Sequence, residues 1–338
     1  MDRLHGGQIP GVLAIDAGNS KTDVALVAAD GTVLGSARGG GFQPQPGGAD
    51  RAIGALTPLV EAVAAQAGLR PEGVLTTHVS ACLANADLPV QEAQLLAAVE
   101  ARPWGVASSV ANDTFGLLRA GTDGPLGVAV VCGAGINCVG LLPDGRTARF
   151  PALGVLTGDW GGGGGLAAEA MWHAARAEDG RGPATALAGA IAAHFGVAGA
   201  TAVAEAIHLG ELSQERLHEL VPVLFATAEA GDRTALDLID RQAAEIVGFA
   251  RIALTRLDLL GRPAPVVLGG GVLAARHPLL IDNVTARLAA AAPLAEPRVV
   301  VAPPVVGAAL LGLDRLGAGP QAQQRLRDAY APVQSAAA

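Results

Sequence analysis

Three glycine-rich turns are the first candidates for chemistry in this chain of 338 residues. They cover residues 16–22, 133–137 and 269–271, and each follows a short apolar segment. Such turns direct backbone N–H groups into a concavity that suits phosphate oxygens, and glycine permits the close approach that a Cβ would block. A tight hairpin also uses glycine for steric reasons alone. Three such turns at predicted strand ends nevertheless favour phosphate binding.

The first turn contains Lys21, the only lysine of the chain. A flexible ammonium acts as a point charge on a phosphate group, which would explain a lysine at this position. The alternative is a surface lysine at the tip of a hairpin. Asp16 directly follows the first apolar segment. It is placed to hold a Mg²⁺ ion through water, because Mg²⁺ is usually bound through one or two carboxylates.

Asp113 is the candidate general base. In the stretch "SSVANDTFGLL" it comes after a strand predicted at residues 105–110, where a helix is predicted to begin. An aspartate at a helix start often serves only as the N-cap. At the end of a strand it could also accept the proton of a substrate hydroxyl that attacks a γ-phosphate. The two roles are compatible.

Residues 157–172, "TGDWGGGGGLAAEAMW", form a third unusual stretch. The five consecutive glycines predict an open loop that leads into a helix at residues 166–176. Asp159 and Trp160 at the mouth of this loop could bind a polar, ring-shaped substrate by hydrogen bonding and stacking. The alternative is a mobile linker with Trp160 packed in the core.

Composition argues against several functional classes. A net charge of -8 disfavours nucleic acid, and an aromatic content of 3% leaves few stacking platforms. The three cysteines, Cys82, Cys132 and Cys138, form no C-x-x-C pair, so we expect no disulfide framework and a reducing cytoplasm. The seven histidines lack metal-site spacing, so we expect no metal other than nucleotide-bound Mg²⁺. Apolar segments end well short of about 18 residues, which predicts no membrane span.

The elements that must position these residues are short strands and Ala-rich helices. Strands are predicted at residues 12–15, 24–27, 32–36, 74–79 and 105–110, and helices at 50–66 and 90–101. This order, β-β-β-α-β-α-β, predicts a mixed sheet with hairpins and right-handed crossovers. The strand–turn–strand device starts again at residues 128–145 and ends, like the first, in an Asp-Gly turn. Unless the likeness is coincidental, duplication implies two related lobes that face a cleft.

The remaining chain is mostly helical from residue 166 to 260, with breaks at residues 180–183, Gly210 and Gly231. A buried strand, three glycines and a helix start follow at residues 264–276. We expect an N-terminal lobe over residues 1–118, with a helix from about residue 304 packed back on it. A larger C-terminal lobe with a helical insertion covers residues 119–303, and residues 317–338 form a tail.

Six motifs occur in one order: "IDAGNSKTDVALV", "VANDTFG", "VVCGAGINCVG", "GDWGGGGG", "VVLGGGV" and "PPVVGAALLGL". In this the chain resembles the BadF/BadG-type ATPases, the family of N-acetylglucosamine kinase, from about residue 12 to 316. The family belongs to the actin-like, sugar-kinase and Hsp70 ATPase superfamily. The resemblance implies an α/β, two-lobed actin-like ATPase fold of the ribonuclease H-like type. It also implies phosphorylation of an amino-sugar hydroxyl with ATP and Mg²⁺.

The resemblance also implies roles for residues. It implies that Asp113 is the general base. It also implies that the sugar is bound by Gln43, Asn85, Asp87, Asn137, Asp159 and Trp160. The small-molecule sugar is then the partner, without nucleic acid or membrane, and a homodimer is compatible with the family. The nucleotide is expected to be bound by the three glycine-rich turns. The residues are Asp16, Gly18, Asn19, Ser20, Lys21 and Thr22 in the first turn, Gly133, Ala134 and Gly135 in the second, and Gly269, Gly270 and Gly271, the adenosine motif, in the third.

Departures from the family pattern concern the substrate. Ala134 and Ile136 replace hydroxyl residues, Trp160 replaces a glutamate, and Gln43 lies where an asparagine is expected. Because sites that bond one hydroxyl reject analogues strongly, these changes could redirect specificity. The family also contains ATPases that activate a partner enzyme and hold an iron–sulfur cluster through cysteines. The scattered cysteines disfavour that alternative. A sugar-responsive transcription regulator is disfavoured by the eleven residues ahead of the first strand and by the acidic charge.

Overall fold

The computed structural model describes residues 9–45, 47–70, 73–300 and 302–331. The predicted tail therefore falls partly outside the described residues, from residue 332 onward. The chain divides into two compact units. Unit 1 comprises Met1–Ala129, Val139–Pro151 and Val300–Ala338, and unit 2 comprises Val130–Cys138 and Ala152–Val299.

The described residues form two five-stranded sheets. The strands are β1 (Ile9–Ala17), β2 (Thr22–Ala28), β3 (Val33–Gly39), β4 (Thr76–Leu83), β5 (Gly105–Asn112), β6 (Gly127–Cys132), β7 (Ile136–Leu141), β8 (Thr147–Arg149), β9 (Ala264–Gly269) and β10 (Ala295–Val299). The first sheet has the order β3-β2-β1-β4-β5 and the second the order β10-β9-β6-β7-β8.

The α-helices lie between and after these strands. They are α1 (Gly48–Gly54), α2 (Thr57–Gln66), α3 (Pro89–Glu100), α4 (Asp113–Ala120), α5 (Gly162–Glu178), α6 (Leu187–Phe195), α7 (Ala200–His208), α8 (Leu220–Glu229), α9 (Arg233–Arg256), α10 (Gly271–Ala274), α11 (Pro278–Ala291), α12 (Pro304–Arg315) and α13 (Pro320–Ala329). No single helix in the described ranges has the length and apolarity to cross a membrane, although α6 and α7, bent by 49°, meet that test together.

The central strand β1 is apolar on both faces because helices cover both. Leu13 and Ile15 belong to one buried cluster, which includes residues of α1, α2 and α3. Val12 and Ala14 belong to another, which includes residues of α12. A strand covered on both sides has a continuous apolar sequence rather than an alternating one. This explains why residues 12–15 could be predicted as a strand but not assigned to a face.

The two Asp-Gly turns have the same geometry. Gly31 and Gly145 both have φ of 87°, in the left-handed region that favours glycine. The Oδ1 atoms of Asp30 and Asp144 each accept the N–H two residues further on, at 3.0 Å in both cases. The predicted repetition of one strand–turn–strand device is therefore also a repetition of hydrogen bonds.

Two predictions about helices were wrong in part, and the predicted tail contains a helix of its own. The helix expected over residues 50–66 is divided into α1 and α2, since Pro58 in the first turn of α2 has no N–H to continue a preceding helix. The glycine run, residues 161–165, is not an open loop, because α5 begins at Gly162. Within the predicted tail, residues 320–329 form α13, which buries Ala322 and Leu326.

Candidate active site

The C-terminal ends of three parallel strands meet at one edge of the first sheet. In the register, Ala17 of β1 pairs with Leu83 of β4, and Leu83 pairs with Asn112 of β5. Asp16 is the penultimate residue of β1, and Asp113 is the first residue of α4, directly after β5. The topology of unit 1 thus brings the predicted magnesium carboxylate and the predicted base to the same edge.

Asp113 has the electrostatics of a general base. Burial raises the pKa of its carboxyl to about 6, and the nearby charge of Asp87 adds to this, whereas hydrogen bonding from Thr114 lowers it. A carboxylate with a pKa near the working pH both exists in the charged form and accepts a proton readily. The N-cap of α4 is Asn112, whose Oδ1 accepts the N–H of Thr114 at 3.0 Å. The predicted capping role of Asp113 is therefore wrong, since its neighbour caps the helix.

Asp87 is held near Asp113, the predicted base, by two contacts. Its Oδ1 accepts a hydrogen bond from Nδ2 of Asn112 at 2.9 Å, and its backbone N–H donates to Oε1 of Gln91 at 3.2 Å. Asn112 therefore serves both the helix start and the carboxylate after β4. Sequence reasoning identified Asp87 but missed Asn112. The signal was the Asn-Asp pair at a strand end, because asparagine caps helices as well as aspartate does.

Asp16 lies among other charges on the same side of the sheet. It pairs in register with Asp23 of β2, and Asp23 accepts a two-bond contact from Arg38 at 2.6 and 3.0 Å. Asp16 is buried, and burial, followed by the charges of Asp113 and Asp23, raises the pKa of its carboxyl well above the usual range. A buried carboxylate with like charges nearby is a suitable ligand for a cation.

The first glycine turn (residues 16–22) connects β1 to β2. The N–H of Gly18 donates to the carbonyl of Lys21 at 2.9 Å, and Asn19, Ser20 and Lys21 are exposed. Thr22 is buried with 1% exposure, and its Oγ1 has no hydrogen-bond partner within the described chain. The turn therefore presents polar groups and one ammonium, together with an unpaired hydroxyl below them.

Asn85 ties this turn to its neighbours. Its Nδ2 donates to Oδ1 of Asn19 at 3.0 Å and to the carbonyl of Phe42 at 3.4 Å, and its Oδ1 accepts from Gln45 at 3.0 Å. Asn85 has a φ of 62°, which asparagine tolerates better than most residues. Asn85, a predicted sugar residue, thus contacts Asn19, a predicted nucleotide residue.

Gln43 lies in the wall of a cavity of about 670 Å³. Asn19, Thr22, the glycines of residues 39–41 and Arg51 also line this cavity. Gln43 is exposed. Unit 1 therefore contains Gln43, Asn85 and Asp87 of the predicted sugar set, with Asn85 and Asp87 following the end of β4.

In unit 2 the second glycine turn (residues 133–137) is packed against the glycine run. The N–H groups of Gly163 and Gly164 donate to the carbonyls of Gly133 and Ala134 at 2.7 and 2.8 Å. A Cβ on Gly162, which has a φ of 73°, would lie 2.5 Å from backbone atoms of Gly135. The first N–H groups of α5 are thus used to hold the turn, which explains why glycines can begin a helix here.

The third glycine turn (residues 269–271) packs against the start of the second glycine turn. A Cβ on Gly270, at a φ of 86°, would lie 2.5 Å from the carbonyl carbon of Cys132 and 2.7 Å from the nitrogen of Gly133. Gly269 is buried at the end of β9, and Gly271 is exposed at the start of α10. The second turn, the third turn and the glycine run therefore form one glycine cluster in unit 2, in which Ala134 and Gly135 are exposed.

Asp159 and Trp160 line a cavity of about 780 Å³ in unit 2, together with Ala134 and Gly135. Nε1 of Trp160 donates to Oε1 of Glu169 at 2.9 Å, and the guanidinium of Arg241 lies 4.1 Å from the centre of its ring. Asp159 accepts from Thr157 at 2.6 Å. Neither a mobile linker nor a core position describes Trp160, because it is partly buried in a cavity wall.

Asn137 has a local partner as well, since its Oδ1 accepts the N–H of Cys138 at 2.7 Å. Sequence reasoning missed Arg241 because it is 81 residues from its partner Trp160, and it missed Glu169, nine residues from Trp160, because the glycine run between them was expected to be a loop and not the start of a helix. It also missed Gln242 on α9, whose Oε1 accepts the N–H of Gly162 at 2.9 Å. The available signal was a polar residue between Leu238 and Ile246, on the apolar face of α9.

Comparison with known proteins identifies the family. The profile of the BadF/BadG/BcrA/BcrD ATPase family matches residues 13–312. The chain belongs to this family. The predicted resemblance is thereby confirmed.

Among curated proteins, this family member is similar to the N-acetyl-D-glucosamine kinase of Dictyostelium discoideum. The two sequences are 27% identical over 209 residues, and the aligned region covers 61% of this chain and 65% of that protein. Among solved structures, it is similar to a candidate N-acetylglucosamine kinase of Chromobacterium violaceum, with a TM-score of 0.69 and 24% identity over 90% of this chain and 99% of that one. A ROK family glucokinase of Streptomyces griseus, solved with glucose and AMPPNP, gives a TM-score of 0.52 and 16% identity over 90% and 99% of the two chains. The prediction of an actin-like ATPase fold is confirmed.

The cysteines of this family member are free and buried. Burial raises the pKa of Cys132 to about 12, and it raises the pKa of Cys82 and Cys138 as well. Thiols of this kind do not offer thiolates at a surface, as a cluster shared between subunits would require. In the described parts of the chain, no group of three or more histidine, cysteine, aspartate or glutamate side chains could hold a metal ion.

A single magnesium ion that accompanies a nucleotide needs fewer protein ligands, and the first turn fits such an ion. Asp16 supplies a buried carboxylate whose pKa is raised first by burial and then by the negative charges of Asp113 and Asp23, and a cation would offset these charges. The unpaired hydroxyl of Thr22 is one further polar group at the same turn.

Proposed function

We propose that this protein is a kinase that transfers the γ-phosphoryl group of ATP to a hydroxyl of an amino sugar, such as N-acetylglucosamine or glucosamine. The observation that carries the proposal is the position of Asp113, next to Asp87 and at the same sheet edge as Asp16, with a pKa of about 6. Membership of an ATPase family supports ATP as the donor. Two relatives that are named as N-acetylglucosamine kinases support an amino sugar as the acceptor.

Asp113 would act as the general base. Its carboxylate accepts the proton of the sugar hydroxyl while the hydroxyl oxygen forms a bond to the γ-phosphorus. The bond between that phosphorus and the β–γ bridging oxygen breaks, and ADP leaves with the electron pair. Asn112 keeps Asp87 beside the base, so the negative charge of Asp87 favours the protonated form of Asp113 and makes it a better proton acceptor.

Each unit would supply one phosphate-binding turn. In unit 1 the residues are Asp16, Gly18, Asn19, Ser20, Lys21 and Thr22, and in unit 2 they are Gly133, Ala134 and Gly135. Gly269, Gly270 and Gly271 would bind the adenosine. Asp16 would hold Mg²⁺ through water, and the ion would neutralise charge on the phosphates.

The sugar would be recognised by amide and carboxylate side chains. In unit 1 the candidate residues are Gln43, Asn85 and Asp87, and in unit 2 they are Asn137, Asp159 and Trp160. Because Trp160 is already bonded to Glu169 and stacked under Arg241, it would contribute a fixed apolar edge rather than a mobile stacking face. We assign the reaction to the cytoplasm, where free thiols persist.

A coupled assay of ADP release over a panel of amino sugars tests this function. The panel contains N-acetylglucosamine, glucosamine, N-acetylmannosamine and glucose, and mass spectrometry identifies the phosphorylated product. Asp113→Asn is the variant that lacks the proposed base, and Asp328→Asn, which removes an exposed carboxylate of α13, is the matched control.

We expect at least one amino sugar to raise ADP release above the basal rate in the wild type and in Asp328→Asn, but not in Asp113→Asn. If no sugar raised ADP release although the protein hydrolysed ATP, an ATPase that activates a partner would replace the kinase. Full activity of Asp113→Asn would remove the base assignment while leaving the substrate in place.

A further inference from the structure

Gln242 is a fully buried amide in the middle of α9, with 0% exposure. It lies on the buried face of the helix with Ile239, Ala243 and Ile246. Buried polar groups in native proteins are nearly always hydrogen-bonded, and exceptions call for an explanation. Only the acceptor side of this amide is used. Oε1 accepts the N–H of Gly162, whereas Nε2 has no acceptor among the residues that the structure describes.

The side chain of Gln242 is fitted closely to the glycine run. A Cβ on Gly161 would collide with Oε1 of Gln242 and lie 2.7 Å from Nε2. Gly161 has a φ of 110° and Gly162 a φ of 73°, both in the region that favours glycine. The amide therefore determines the path of the two residues that start α5.

The next contacts lead directly to the second glycine turn. Gly162 packs on the backbone of Gly135, and Gly163 and Gly164 donate hydrogen bonds to the carbonyls of Gly133 and Ala134. With those carbonyls held, the tip of the turn remains exposed. Gln242 thus acts on the turn only through the start of α5, since it bonds Gly162 rather than the turn itself.

We propose that Gln242 is a positioning residue of the nucleotide site: it fixes the start of α5, and through it the second glycine turn, in the form that binds the phosphates of ATP. The inference rests on the proposed function, because it takes the second turn to be a phosphate site. A turn that is held in its binding form before the ligand arrives loses less conformational entropy on binding.

If Gln242 had a purely structural role, its substitution would change the stability of the protein and leave nucleotide binding unchanged. Methionine matches glutamine in length, and Gln242→Met would remove the unsatisfied Nε2 donor along with the bond to Gly162. The gain and the loss act in opposite directions on folding, so we expect a thermal midpoint close to that of the wild type. Removal of the unsatisfied donor does not restore nucleotide binding, because the N–H of Gly162 still lacks its acceptor and the start of α5 is no longer held in place.

Calorimetric titration with AMPPNP and Mg²⁺, which needs no sugar, tests the inference. Gln242→Met is compared with the wild type and with Thr227→Val, another buried polar-to-apolar change in unit 2. The hydroxyl of Thr227 donates to the carbonyl of Val223 in its own helix. We expect the dissociation constant for AMPPNP to rise about tenfold in Gln242→Met, which corresponds to about 1.4 kcal/mol, and to be unchanged in Thr227→Val. Equal binding in all three proteins would overturn the inference.

Hydrogen exchange of the wild type provides a second measurement that does not depend on a variant. Addition of AMPPNP and Mg²⁺ should slow exchange in peptides that cover residues 161–166, and peptides of α13 should be unaffected. Unchanged exchange at residues 161–166 in protein that binds the nucleotide would contradict the inference. If the wild type bound no nucleotide, the proposed function would fail instead, so the two failures are distinct.

Discussion

Asn112 donates its Nδ2 to Oδ1 of Asp87 at 2.9 Å, one residue before the proposed base Asp113. The same side chain caps α4 through its Oδ1. A single asparagine thus fixes the start of the helix that carries Asp113 and the carboxylate whose charge raises the pKa of Asp113.

The activity should therefore depend on pH through Asp113. Because the pKa of Asp113 is raised to about 6, the base becomes protonated as pH falls through this value, and kcat/KM should decrease tenfold per unit below it. In Asp87→Asn a negative charge is removed, so the pKa of Asp113 should decrease and the acidic limb should move to lower pH. Initial rates from pH 4.5 to 8 measure the acidic limb of the wild type and that of Asp87→Asn. An acidic limb at the same pH in both proteins would show that Asp87 does not act on the base.

Asp113→Asn should separate activity from stability. Loss of a general base typically lowers kcat by about 10²–10⁴-fold. The pKa of Asp113 is above that of an aspartate in an unfolded chain, so its ionisation at neutral pH opposes folding. The asparagine variant should therefore have an equal or higher thermal midpoint at pH 7.5. A large loss of both activity and stability would indicate that Asp113 has a structural role instead.

Much of this site could be predicted from sequence because local patterns fix it. The strand ends, the Asp-Gly turns and the glycine turns depend on neighbouring residues, so Asp16, Asp87 and Asp113 could be recognised as residues near strand ends. Partners that are distant in sequence could not. Gln242 lies 80 residues from Gly162, and nothing near Gly162 indicates that α9 supplies its acceptor.

For the glycine run, a local property of the sequence led to a wrong prediction. Five glycines have low intrinsic helix propensity, and the prediction of a loop followed from that property alone. In the structure, contacts with the second turn use the first N–H groups of α5, and tertiary packing overrides propensity. Likewise, the capping role predicted for Asp113 belongs to Asn112, since both residue types cap helices and the sequence does not distinguish them.

Lys21 should matter for ATP and not for folding. It is exposed in the first turn, so Lys21→Met should leave the thermal midpoint unchanged. Loss of a charge-assisted contact of about 1.5 kcal/mol would raise the KM for ATP about tenfold, with a smaller effect on the KM for the sugar. Arg262→Met, which removes an exposed cation before β9, is the control. An unchanged KM for ATP in Lys21→Met would favour the surface-lysine alternative.

Arg119 should be the strongest stabilising cation of unit 1. It is buried with 1% side-chain exposure and bonds both carboxylate oxygens of Asp314 at 2.7 and 3.1 Å, as well as the carbonyl of Thr122 at 2.8 Å. Because removal of the guanidinium leaves the partly buried carboxylate of Asp314 without its ion-pair partner and with only the amide of Gln323 among the contacts described, Arg119→Met should lower the free energy of unfolding by about 3 kcal/mol. In the exposed pair of Arg233 and Asp237, Arg233→Met should change it by less than about 1 kcal/mol. Urea denaturation compares the two, and similar effects would contradict the assignment.

Two alanine substitutions in the glycine run should have opposite effects. Gly162 has a φ of 73°, and its Cβ would lie 2.5 Å from the backbone of Gly135, whereas a Cβ on Gly165 would meet no atom within 4 Å. Gly162→Ala should therefore destabilise the protein by at least about 1 kcal/mol through the left-handed backbone alone. Gly165→Ala, within α5, should stabilise it by up to about 1 kcal/mol, because alanine is the better helix former. If thermal denaturation gave the two variants the same midpoint, the close packing of the start of α5 on the second turn would be wrong. That packing is what makes a helix, rather than a loop, of residues 162–165.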